Sequence, residues 1–201
     1  MKGGLKDTSG KSLWKDPVHW KEMLIEYRMV VVLLVMFLTM TLSTPAFLTT
    51  RNLINLSRQI SVNAILAMGM TFVIITGGID LSVGSVLAVG GVIAASIVEP
   101  GTSPVWIAVL AGIAAGGALG LINGLVVSRL RVAPFVITLA MMTIARGIAY
   151  VYTDGRPIVG LPDPFRVIGR DSIGFIPIPV VIMILVILLC WFLLQHTLFG
   201  R

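Results

Sequence analysis

Six apolar runs, each close to the length that crosses hydrocarbon, occupy most of the chain beyond its first 28 residues. They cover about Met29 to Phe47, Ser61 to Ile79, Val83 to Val98, Val105 to Val127, Val132 to Tyr152 and Phe175 to Leu194, the third being short. A helix needs about 17–25 mainly apolar residues to span a bilayer core. Inside lipid, a helix also satisfies its own backbone donors and acceptors, which an isolated strand does not. The expected fold is therefore all-α, a polytopic helical membrane protein. Composition agrees: 57% of the 201 residues are hydrophobic and 12% are charged, with a mean hydropathy of +1.00. A soluble domain has too little polar surface to cover that much apolar area.

The net charge of +6 does not make this a nucleic-acid binder. Its basic residues form no patch interleaved with aromatics; they sit in the N-terminal stretch and in short links between apolar runs, where topology signals belong. Lys2, Lys6, Lys11, Lys15, Lys21 and Arg28, the Arg129/Arg131 pair and Arg201 fall on one side of the membrane. Arg51, Arg58, Arg156, Arg166 and Arg170 fall on the other, the last three mixed with Asp154, Asp163 and Asp171. This bias places the N-terminus inside, with residues 1–28 as a cytoplasmic segment and 29–201 as the membrane domain. Trp14 and Trp20 share a helix face, so Trp14 to Tyr27 is either a surface-lying helix or a plain tether for the first span.

One cysteine (Cys190) and two distant histidines (His19, His196) give neither an internal disulfide nor a metal constellation. Phosphate-cradling, zinc-protease and nucleophile-elbow motifs are all missing from the sequence, and no cofactor is expected. Asp80 and Glu99 sit at turns rather than deep in helices, so no carboxylate relay for ion coupling is apparent. A chain of this kind that moves solute uphill needs its energy from elsewhere.

Candidate functional residues are the polar groups that a bilayer makes costly. Asn63 and Thr71 share a face of the second run, and Thr138 and Arg146 share a face of the fifth. Asn123 lies near the inner end of the fourth. Each is either part of a solute path or a stitch between helices, and Arg146 either pairs with Glu99 or Asp154 or snorkels. Gly112, Gly116, Gly120 and Gly124 recur every fourth residue on the fourth helix, a smooth ridge for close helix approach. The link Gly77-Gly78-Ile79-Asp80-Leu81-Ser82-Val83-Gly84 reads as a hairpin turn, glycines ending one helix and Asp80 or Ser82 capping the next.

That same link closely resembles the Gly-Gly-Ile-Asp-Leu-Ser-Val-Gly signature of ribose-type ABC sugar permeases. The stretch Met68-Gly69-Met70-Thr71-Phe72-Val73-Ile74-Ile75-Thr76 before it is similar to the family's approach. Asn123-Gly124-Leu125-Val126-Val127, Ala133-Pro134-Phe135-Val136-Ile137-Thr138-Leu139-Ala140 and Arg146-Gly147 resemble further blocks, in order. Thr197-Leu198-Phe199-Gly200-Arg201 resembles the start of the cytoplasmic loop that docks the ATPase, which makes Gly200 and Arg201 candidate docking residues. The resemblance implies an importer permease with roughly ten membrane helices, about six of them in this chain, which is then expected to be an N-terminal part. It implies two cytoplasmic ABC ATPase subunits, an external or periplasmic sugar-binding protein and a second permease, as homodimer or heterodimer. Membrane lipid is the remaining partner, and nucleic acid is not one. Asn63, Thr71, Asp80, Ser82, Asn123, Phe135, Thr138 and Arg146 are then the candidates for the translocation path or its gate. A permease for another small solute and an ion-coupled carrier are the alternatives.

Overall fold

The computed structural model describes residues 26–98 and 103–197. The expected tether and its tryptophans lie almost wholly outside the described residues. By internal contacts the chain forms two units, Met1–Leu53 and Ile54–Arg201.

In the first unit, α1 runs Arg28–Ser43 and buries none of its residues. Its apolar side chains face outward all round, which is tolerable in hydrocarbon and not in water. Thr39 and Thr41 donate their hydroxyls back to the carbonyls of Val35 and Phe37, so neither leaves a bare polar group on that surface. Phe37 and Phe47 meet edge to face at 5.3 Å between centroids. The helix ends four residues earlier than hydropathy indicates, because Thr44 turns extended ahead of Pro45.

The next helix, α2, runs Thr50–Ile75, eleven residues longer at its start than the apolar run. Thr49 explains the difference. Its hydroxyl accepts the N–H of Asn52 at 3.4 Å and its carbonyl accepts that of Leu53 at 3.0 Å, an N-cap that sets the start well before the apolar face begins. Twenty-six residues rise about 39 Å, more than the roughly 30 Å hydrocarbon core, so the polar first turns stand in the interface.

In the second unit, α3 (Val83–Val98), α4 (Val105–Leu130) and α5 (Pro134–Tyr152) pack on one another. A short helix α6 (Asp163–Arg170) and a two-residue-stranded hairpin, β1 (Ser172–Ile173) with β2 (Ile176–Pro177), lead into α7 (Ile178–His196). Among the described residues, α2, α4, α5 and α7 are long and apolar enough to cross a membrane, while α1 and α3 are shorter apolar helices.

The helix α6 has no counterpart in the hydropathy pattern, since its eight residues include three charges. Its signals are local instead: Asp163 in the first turn, Pro164 next to it and Arg170 in the last turn, all matched to the helix dipole and to the free ends of a helix. Phe165, with Leu161 just before the helix, packs on the core of Ala94, Val98 and Ala108, laying α6 across the ends of α3 and α4. Gly174 takes φ +64° to close the hairpin, which a two-residue loop demands. This delays α7 to Ile178 and leaves Phe175 in the loop.

Helices α3 and α4 approach closely at two glycines. A Cβ on Gly112 would stand 2.7 Å from the Gly90 carbonyl oxygen, and one on Gly90 would stand 2.9 Å from that of Gly112. Gly116 has only Val86 Cγ1 within reach, at 3.7 Å, and Gly120 and Gly124 have nothing within 4 Å. The expected ridge therefore packs tightly at one end, and its partner Gly90 carries no fourfold spacing that would single it out. Gly112→Val should lower stability by about 1–3 kcal/mol through overpacking, whereas Gly120→Val should leave it within about 0.5 kcal/mol. Detergent-solution unfolding of the two variants beside the parent checks both.

Candidate functional site: the Gly77–Ser82 turn and its clamps

The link between α2 and α3 is held by hydrogen bonds at both of its ends. Gly78 N–H donates to the Val73 carbonyl and Gly77 N–H to that of Ile74, both at 2.9 Å, with Gly77 at φ +76°. This is the paired bonding that ends a helix through a left-handed residue. Gly78 has its own requirement: a Cβ there would meet Val73 Cγ1 at 3.2 Å and the Val73 oxygen at 3.3 Å, with Pro134 at 3.7 Å. The double glycine thus serves one conformational need and one spatial need.

Beyond the glycines the turn is fixed by a carboxylate. Asp80 Oδ1 accepts the backbone N–H of Ser82 at 2.7 Å and its hydroxyl at 2.6 Å. Ser82, wholly buried, offers its carbonyl to the N–H groups of Ser85 and Val86 at 2.9 Å, and so begins α3. The serine hydroxyl gives its one proton to Asp80, leaving its lone pairs free. Asn123 on α4 donates its Nδ2–H to them at 3.0 Å, a buried bond between residues 41 apart in sequence.

A second clamp comes from α5. The Thr138 hydroxyl lies 3.1 Å from the Ile79 carbonyl oxygen, 3.0 Å from that of Pro134 and 3.3 Å from that of Phe135. One proton serves these three acceptors, so the hydroxyl joins the turn to the first turn of its own helix. Thr138 and Asn123 are 4% and 6% exposed, which places both bonds where water does not compete for them.

The structure therefore gathers Asp80, Ser82, Asn123 and Thr138 into one cluster and leaves the other sequence candidates outside it. Asn63 is exposed on α2, and Thr71 returns its hydroxyl to the Ala67 carbonyl at 2.9 Å. Phe135 is exposed although it adjoins the cluster in sequence. Arg146 is exposed on α5, and among the described residues the one ion pair is Arg166 with Asp163, at 3.2 Å. Glu99, Gly200 and Arg201 lie outside the described residues. Sequence reading also passed over two polar contacts at the opposite ends of these helices. Ser96 on α3 meets the Tyr152 hydroxyl of α5 at 3.0 Å. Arg58 on α2 donates through Nη2 to the carbonyl of Arg170, the last residue of α6, and through Nη1 to Asn55 at 3.3 Å.

A groove of about 660 Å³ runs between α2, α3, α4 and α6 and is walled by apolar and glycine residues such as Val86, Gly90, Gly112 and Phe165, with Arg166 as its charged member. Hydroxyl-rich solutes find few partners there, so it is not the polar site. Among the described residues no group of three His, Cys, Asp or Glu side chains stands ready for a metal ion.

These features define a multi-pass helical membrane protein whose helices are joined by buried neutral hydrogen bonds. The chain belongs to the branched-chain amino acid transport system / permease component family, whose model matches residues 52–201. It is 44% identical over 185 residues, 90% of its length, to the ribose import permease protein RbsC of Escherichia coli (strain K12), of which that match covers 57%. It is 42% identical over 171 residues, 84% of its length and 53% of the relative, to the RbsC of Bacillus subtilis (strain 168). The D-allose transport system permease protein AlsC of Escherichia coli (strain K12) is 39% identical over 80% of this chain and 49% of the relative. The chain thus spans about half the length of the curated relatives it matches. No solved structure matches it.

Thr138→Val, which keeps the side-chain shape and removes the hydroxyl, should cost about 1 kcal/mol of stability. Asp80→Ala should cost more than Asp80→Asn, because the amide retains an oxygen to accept from Ser82. Unfolding of the three variants in one detergent gives the order, and equal stabilities for Asp80→Ala and the parent would remove the carboxylate from its assigned role.

Proposed function

We propose that this chain forms part of the translocation path of an ATP-driven importer for a monosaccharide of the ribose kind. The observation that carries the proposal is the Gly77–Ser82 turn: a family signature whose every polar side chain is engaged in neutral or charge-assisted bonds within the protein. Among the described residues, the six apolar helices carry no Asp or Glu, which favours an outside energy source over an ion relay. The names of the ribose and allose permeases support a small sugar as solute. The family's own description, which speaks of branched-chain amino acids, supports another small solute as the second reading.

On this reading the energy comes from two cytoplasmic ABC ATPase subunits, and affinity resides in a sugar-binding protein on the far side. A second permease, identical or homologous, completes the path. ATPase closure would switch the two permeases between inward and outward openings, a rigid-body exchange rather than chemistry on the sugar. The N-terminus is cytoplasmic, with the chain in a bacterial inner membrane. Arg129 and Arg131 stand at the end of α4, between the two clamp residues Asn123 and Thr138 in sequence. Arg58, Tyr152 and α6 occupy the opposite ends of their helices, which supports an inner turn and an outer α6.

Labelled D-ribose uptake in cells carrying the whole system discriminates the energy sources. Uptake should persist when an uncoupler collapses the proton gradient while ATP is maintained, and should stop when ATP is depleted by arsenate. Loss under the uncoupler alone would instead identify an ion-coupled carrier.

A further inference from the structure

The bonds at the start of α3 leave two atoms over. Asn123 Oδ1 and Ser85 Oγ are sealed from the surface and have no hydrogen-bond partner, on side chains only 6% and 5% exposed. The proton count fixes what Asn123 has to offer. Ser82 spends its single hydroxyl proton on Asp80 Oδ1 at 2.6 Å, so it only accepts from Asn123 and must face the NH2 end of the amide. The opposite end, Oδ1, is an acceptor without a donor.

Ser82 immediately precedes α3, and Ser85 stands in the first turn, its N–H bonded to the Ser82 carbonyl at 2.9 Å. Both orphan atoms therefore flank the first turn of α3. Unpaired buried polar atoms are uncommon in folded proteins, and two beside one helical turn call for a shared partner. Its chemistry follows from the pair. Asn123 Oδ1 needs an O–H or N–H donor, and Ser85 Oγ can both give and receive. An anion has nothing to accept from Asn123 and would stand near the Asp80 carboxylate. A metal ion would find two neutral oxygens and a carboxylate oxygen already taken up by two bonds from Ser82.

We propose that this turn holds a small hydroxyl group, donating to Asn123 Oδ1 and accepting from Ser85 Oγ–H, supplied by a buried water or by a hydroxyl of the transported sugar. Water suits the sealed arrangement described here, needing only two to four polar partners. A sugar hydroxyl would enter by a local opening beside the first turn of α3, the Ser82–Asn123 bond staying closed. The sugar source rests on the transport reading above, while the site itself does not.

Ser85→Ala in the full chain tests this, because it removes one orphan atom and almost no volume. If the hydroxyl site is real, the variant should unfold about 2–4 °C lower, and Ser85→Cys, a weaker donor of similar size, should fall between. A midpoint equal to or above that of the parent would overturn the proposal, since deleting a sealed, unpaired hydroxyl costs nothing. Repeating the melts in millimolar D-ribose separates the sources. A rise in the parent that Ser85→Ala loses assigns the sugar, and a Ser85→Ala deficit indifferent to ribose assigns water.

Discussion

Asp80 accepts two bonds from Ser82, and the rest of the helix arrangement around the turn follows from that choice. A serine whose proton is committed becomes an acceptor, so the facing residue on α4 must be a donor, and Asn123 supplies it at 3.0 Å. In a low-dielectric interior such bonds are strong when made and costly when broken. The turn, the beginning of α3 and the latter part of α4 are thereby held in one register, and Thr138 adds the beginning of α5 through the Ile79 carbonyl. At their other ends the helices are held by different means: the Gly90–Gly112 approach, the small apolar core under Phe165, and the Ser96–Tyr152 contact.

If the protein works by alternating access, this fastening bears on which surfaces move. The clamped group of α3, α4 and α5 would travel together. Unpacked surfaces beside it, Gly120 and Gly124 on α4 and the exposed Asn63 face of α2, remain available for partners that slide or separate. Small residues facing outward allow such motion without trapping polar groups. Arg58, bonded to the carbonyl end of α6, where the helix dipole favours a cation, ties α2 to the short helix that packs on the ends of α3 and α4.

Much of this was legible in the sequence, and the gaps have physical causes. Hydropathy located the helices, since lipid leaves a helix no other way to hide its backbone, and α3 came out with the bounds the apolar run gives. It misplaced the start of α2, because the polar turns from Thr50 to Arg58 are set by the Thr49 cap and not by apolar content. It had no means to see α6, whose eight residues are amphipathic and too short to leave a period. Asn123 and Thr138 were singled out as costly polar residues, and Asp80 and Ser82 as turn and capping residues, yet composition cannot say that four residues spread over 59 positions converge on one turn. Ser85 escaped notice because a serine one turn into an apolar helix looks like any small packing residue. The glycine ridge was visible as a spacing, but which glycine touches a neighbour depends on Gly90, a contact that only the folded chain defines.

The central claim is that the turn and α4 are joined as one body through the Ser82–Asn123 bond. A double-mutant cycle of Ser82→Ala and Asn123→Ala, read as unfolding free energy in detergent, addresses it most directly. The account predicts a coupling energy of about 0.5–3 kcal/mol between the two positions. Single-variant costs that simply add, within about 0.3–0.5 kcal/mol, would contradict it and leave the turn and the helix as neighbours without a clamp.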